Sequence, residues 1–184
     1  MFGIDELVAV VPPPSTPNVR MTQADWMQIF AHMGTRLPGD FVAAYERYGE
    51  GHFFSHSHKT SAYLSLCAGV MSMQYLNFVP RRLSDLRVQK EKRPKSVPLP
   101  LYWEPGGLLP WATAGNQIDL CWQVRGELVD NWHVVVLRAA QGEHQVFEMS
   151  AMQFLARVIT GRISCPLLPK GFPGEKGVGF RTFH

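Results

Sequence analysis

Two runs of alternating apolar residues, close together in the second half of the chain, limit most strongly what it can fold into. Ile118, Leu120, Trp122 and Val124 form one run and Trp132, Val134 and Val136 the other, with Arg125-Gly126-Glu127 between them. Alternation with period two puts one set of side chains on one face of a strand, and the glycine supplies a turn, so the pair predicts neighbouring antiparallel strands. Gln145-Val146-Phe147-Glu148 follows across a loop containing Gly142 and extends the pair into a meander.

A sheet of this kind needs cover for its apolar face, and three helical patterns provide it. Ser150 with Gln153 has the form of a capping box, and Ala151, Phe154, Leu155, Val158 and Ile159 make an apolar stripe that Gly161 ends. Thr22, with Asp25 three residues on, opens a helix carrying Trp26, Ile29, Phe30 and Met33 up to Gly34. Leu37-Pro38-Gly39-Asp40 leads into another, with Phe41, Ala44, Tyr45 and Tyr48 on one face and Gly49 as its stop. The expected fold is α+β: N-terminal helices and a C-terminal helix packed on a mainly antiparallel sheet.

The remaining segments are less patterned. His52-Phe53-Phe54 and Ala62 to Leu66 suit strands, and Met71 to Phe78 suits a helix. Residues 81–95 hold seven cations against Asp85 and Glu91 and read as a short surface helix or loop, followed by a connection made extended by Pro94, Pro98 and Pro100. Residues 1–21 read as an arm ending in the rigid run Pro12-Pro13-Pro14-Ser15-Thr16-Pro17, residues 22–163 as one domain, and residues 164–184 as a Pro/Gly-rich tail with little beyond coil.

Composition narrows the function classes. Hydrophobic residues make up 46%, enough for a sizeable core, while charged residues are only 18%, so uncharged and apolar groups must cover part of the surface, as on proteins that bind others. Cys67, Cys121 and Cys165 are odd in number and far apart, which argues against a disulfide framework and a zinc site and for a reducing, cytoplasmic setting. No signal peptide is read, since Asp5 and Glu6 stand where basic residues belong, and no apolar run is long enough to span a bilayer. No cofactor is expected.

Motifs for chemistry are sparse. His52, His56 and His58 could place imidazoles on one strand face, but only Glu50 stands near as a further ligand, and surface histidines are the simpler reading. No G-x-S-x-G elbow or P-loop is present, and Cys67 or Cys121 with His133 has no supporting pattern. The basic stretch could contact phosphate, making a nucleic-acid binder a distant alternative, yet it lacks the interleaved aromatics of a single-strand platform. Trp26, Trp111, Trp122 and Trp132 fall on apolar phases and read as core. Tyr102 and Trp103, in a proline-bounded segment, read instead as exposed anchors of the type that dominates interfaces.

Three blocks in order carry a family resemblance. They are Trp26 with Leu37-Pro38-Gly39-Asp40-Phe41, Tyr45 and Tyr48-Gly49-Glu50-Gly51; Gly107 to Asn116 running into Leu120-Cys121-Trp122; and Trp132-His133-Val134-Val135-Val136 with the Ser150 to Ile163 helix. Over residues 22–163 the chain resembles the SUKH superfamily of Smi/Knr-type regulators and bacterial immunity proteins. It departs from the pattern at Gln117-Ile118, where many relatives carry Gly-Asp after the asparagine.

The resemblance implies binding without catalysis, with no catalytic residues. The leading expectation is an immunity protein that neutralises a bacterial toxin domain; the alternative is a regulatory or scaffold protein of the same fold. An open sheet face and adjacent loops would hold the partner, with Tyr102 and Trp103 as anchors and Glu50, Glu104, Asn116 and Asp119 as a polar rim. The net charge of +3 fits a partner with an acidic surface.

Overall fold

The computed structural model describes residues 2–57, 63–66, 75–115 and 117–183, and these form an α+β fold. Its five helices are Phe2–Val10 (α1), Gln23–Met33 (α2), Gly39–Tyr48 (α3), Tyr75–Lys92 (α4) and Ala151–Ile159 (α5). Seven strands, Gly51–Ser55 (β1), Tyr63–Leu66 (β2), Leu108–Ala114 (β3), Ile118–Gln123 (β4), His133–Arg138 (β5), Glu143–Phe147 (β6) and Val178–Thr182 (β7), pair antiparallel in the order β6-β5-β4-β3-β2-β1-β7. The expected meander is thus β4-β5-β6, in register Trp122↔Val134↔Phe147. Among the described residues no helix is long and apolar enough to cross a membrane.

The helix signals act locally as expected. Thr22 Oγ1 accepts from Asp25 N, and the Asp25 carboxylate accepts from Thr22 N at 2.8 Å, a reciprocal cap. Those hydrogen bonds also lower the Asp25 pKa, chiefly through the Thr22 backbone. Ser150 Oγ accepts from Gln153 N, and Asp40, brought over on α3, accepts from Met152 N at 2.9 Å, so a carboxylate meets the positive end of α5.

Both termini depart from the expected arm and tail. Ile4, Leu7 and Val11 recur at helical spacing and are buried, and α1 packs against α5 and α3. Residues 11–21, the proline run among them, form no helix or strand. At the other end, Val178 and Phe180 alternate with Gly179 and Arg181, and β7 closes the sheet on β1 with Phe180 against Tyr48 and Phe53. The glycines and prolines around this run hid a five-residue strand.

The basic stretch also departs from expectation, because residues 81–92 belong to an 18-residue helix that continues through Pro80, and only residues 93–95 lie beyond it. Val79, Leu83 and Leu86, at spacings of four and three, bury its inner face.

The core has two faces. On one, Phe41 of α3 meets Trp122 edge-on at 4.9 Å and Trp111 at 6.3 Å, and Trp132 packs beyond them. Trp111, two residues beyond Leu109, the partner of Trp122, lies on the same side as Trp122 and stacks with it, and a bulge between Pro110 and Ala112 brings Ala112 opposite Leu120 on that side as well. Trp26 is buried too, so four tryptophans are core as expected. The other face carries the cross-strand row Arg181-His52-Ser65-Thr113-Asp119-Leu137-His144, and α4 reaches its middle. The central strands therefore have no open face: Leu120, Cys121 and Trp122 are successive and all fully buried.

Candidate functional site

The segment between Pro98 and Leu108 is a tight turn built to present one side chain. Glu104 N donates to Leu101 O, Gly107 N to Glu104 O, and Leu108 N to Pro100 O, each at 2.8–2.9 Å. Gly107 is required here, since a Cβ would stand 2.6 Å from the Leu101 carbonyl. Leu101 and Tyr102 point inward. Tyr102 donates its hydroxyl to Met33 O, an otherwise orphan carbonyl at the end of α2, at 2.8 Å. Burial pushes its pKa up, which favours the donor form. Arg87 of α4 donates to Tyr102 O at 2.5 Å, so one residue joins the turn to two helices.

Trp103 points outward and is 61% exposed. Its ring stacks on Tyr102 with centroids 4.3 Å apart and lies over Gly34, the left-handed cap of α2, where a Cβ would come within 2.6 Å of the indole. Only glycine serves both the positive φ and the close approach. Beside the ring, α2 and α4 leave a cleft of about 240 Å³ floored by Met33, Val79, Pro80 and Leu83, with His32 and Arg87 at its margin.

The other expected site residues divide. Glu104 is exposed beside Trp103, and its carboxylate accepts from Leu101 N at 3.2 Å, closing its own turn. Asn116 lies outside the described residues. Tyr102, expected as an exposed anchor, is 6% exposed and supports Trp103 from below.

Glu50, expected at the rim, is fully buried, taking the Tyr45 hydroxyl. Its backbone N–H donates to Asn18 and its carbonyl accepts from Phe183, tying the segment between α1 and α2 and the residue after β7 to the start of β1. Asp119, also expected at the rim, is fully buried beneath α4, where Arg82 donates to it twice, at 2.5 and 2.7 Å. The alternation in β4 marks Asp119 as facing away from the aromatic core; it does not say that a helix covers that face. The spacing of Val79, Leu83 and Leu86 was the signal that could have revealed the cover.

The cations of residues 81–95 also divide. Arg82, Arg87 and Lys90 hold Asp119, Tyr102 O and Leu99 O, while Arg81, Lys92, Arg93 and Lys95 are exposed. The phenyl ring of Phe54 stands between His52 and His56, at 6.2 and 5.0 Å from them; His58 lies outside the described residues. Among the described residues no group of three or more histidines, cysteines and acids is arranged to hold a metal. Burial pushes the thiols of Cys121 and Cys165 up, disfavouring the nucleophilic thiolate; at Cys121 the Asp119 carboxylate adds to this. A second cleft, of about 290 Å³, lies at the start of α5 between Asp130, His133 and Glu148.

In class, then, the chain is α+β, a six-stranded antiparallel meander extended by β7 alongside β1 and covered by helices, with an exposed tryptophan on a rigid turn as its most developed surface feature. Neither protein-family models, curated proteins nor solved structures give a match to it.

Proposed function

We propose that this chain is a non-catalytic protein-binding domain of the SUKH type, whose work is immunity: it occupies a bacterial toxin domain and blocks it. The observation that carries the binding reading is Trp103, which leaves most of its apolar area in water while Tyr102, Gly34 and the turn hold it in place. Exposing a large aromatic is unfavourable for the isolated chain, and fixing it beforehand lowers the entropy lost on association. Aromatic side chains next to a pocket are the usual centres of binding energy. The cleft beside Trp103 is smaller than the roughly 300–1,000 Å³ of small-molecule sites and suits a single inserted side chain. The immunity reading rests on the three sequence blocks that resemble the SUKH superfamily.

The test has two stages. Full-length protein and its Trp103→Ala variant are immobilised and exposed to proteins of the source cells, and a polypeptide retained by the first but not the second is identified. That polypeptide is then expressed alone and together with this chain. Toxicity relieved by co-expression is the expected result. Capture of a harmless protein supports the regulatory or scaffold alternative, and the absence of any Trp103-dependent capture overturns the binding reading.

A further inference from the structure

Given the binding reading above, on which this rests, we infer that the cleft between α2 and α4 takes an apolar side chain from an acidic segment of the partner, with Arg87 pairing a carboxylate next to that side chain. The inference comes from the charges around the cleft. Its floor is apolar, and among the described residues its ionisable lining groups other than the Tyr102 phenol are His32 and Arg87, with no carboxylate. Arg36 lies two residues beyond the Gly34 cap of α2 and Arg81 follows Pro80 on α4, both exposed.

Of the acids near it in sequence, Glu104 is engaged by Leu101 N–H and Asp85 by Arg82 at 3.7 Å. Exposed Glu91, one turn beyond Arg87 on α4, makes no ion pair within 4 Å among the described residues, so it competes for Arg87 only as a solvated neighbour. Arg87 is exposed, and Tyr102 O is its one recorded acceptor among the described residues, with no ion pair. A guanidinium carries five N–H donors in a planar fork, and that contact uses one of them, so a carboxylate can still be held. The Tyr102 contact also fixes the arginine in place, which lowers the entropy cost of binding an anion there.

An acidic partner segment would place opposite charge against Arg87 at the cleft margin while its apolar side chain fills the cleft against Trp103 and Leu83, and exposed Arg36 and Arg81, adjacent in sequence to the cleft walls, add positive charge to this part of the chain. A basic segment would bring like charges together. A nucleic acid would satisfy the cations but offers no aliphatic or aromatic side chain for the socket.

The experiment uses the full-length protein against a phage-displayed library of random dodecapeptides, with the Trp103→Ala variant selected in parallel. Enrichment of peptides combining Asp or Glu with one Trp, Phe or Leu is expected, absent with the variant. A synthetic peptide of the leading sequence should bind at least tenfold more weakly to Trp103→Ala and to Arg87→Glu, with little change for Lys92→Glu on the outer side of α4. Its affinity should fall as salt rises. Circular dichroism confirms that each variant is folded, and Arg87→Gln serves if Arg87→Glu is not.

Trp103-dependent enrichment of basic or uncharged peptides would overturn the acidic chemistry and leave the binding reading standing. Loss of all Trp103-dependent enrichment, together with no Trp103-dependent capture from the source cells, would overturn both. Tighter binding of a single-stranded oligonucleotide than of the selected peptide, weakened by Arg87→Glu, would also overturn the inference.

Discussion

The two faces of the central strands are buried by different chemistry. Against α3 and α5 the sheet presents Trp111 and Trp122, stacked on each other and edge-on to Phe41, with Trp132, just before β5, tilted against Trp122, and contact is made by shape and dispersion. Against α4 it presents Asp119, gripped by a two-pronged arginine above a buried thiol. The aromatic face binds by area and tolerates no loss of volume. The charged face fixes where α4 lies, because a carboxylate deprived of its arginine cannot stay buried without cost. That position matters, since α4 forms one wall of the Trp103 cleft. The aromatic face accounts for the existence of the fold, and the ion-paired face sets the geometry of its surface.

The comparison breaks first at Trp122. Trp122→Ala removes a fully buried ring between Phe41, Trp111 and Trp132 and should cost about 3–5 kcal/mol, read as a lower guanidinium midpoint with unchanged slope. Asp119→Ala strands Arg82 and should cost about 3 kcal/mol, near the lower limit for a buried pair because the arginine side chain keeps 25% exposure and can reach water. Arg82→Met with Asp119→Leu should recover most of that loss. A cost for Asp119→Ala under about 1 kcal/mol, as for an exposed pair, would show that the faces do not differ as described.

Smaller effects sharpen the contrast at the surface. Gly34→Ala forces a side chain into positive φ and against the indole, so about 1–2 kcal/mol is expected, with a shift in tryptophan fluorescence as Trp103 leaves its seat. Trp103→Ala itself should cost about 1 kcal/mol or less, since a largely exposed ring loses its stacking on Tyr102 and its packing over Gly34, while partner binding collapses.

The smallest effect is at the β1 end of the charged face. Burial, and then Arg181, hold the His52 pKa below 6.5, so its neutral form is favoured in the folded protein. Its contribution is present above the unfolded value and is lost as pH falls through the lower, folded one. Melting temperature should therefore drop more between about pH 7 and 5 in the parent than in His52→Gln.

Local order was legible from the chain because its causes are local. Alternation marks β4, β5 and β6, Thr22 and Asp25 mark the start of α2, and Gly34 and Gly49 mark helix ends. The proline-bounded setting suggests exposure for both Tyr102 and Trp103; Trp103 is exposed and Tyr102 is not. Residue pattern alone, however, gave each strand one wet face and each polar residue a surface role.

What only the tertiary structure decided was where covering elements come to rest. Helix α4 crosses Asp119, the segment between α1 and α2 and the chain after β7 meet at Glu50, and Tyr102 turns inward to reach the end of α2. Period and capping describe the relation of a residue to its neighbours within about one helical turn or one strand pair. Burial of a carboxylate depends on contacts dozens of residues away, as between Arg82 and Asp119, and sequence spacing carries no measure of that distance in space.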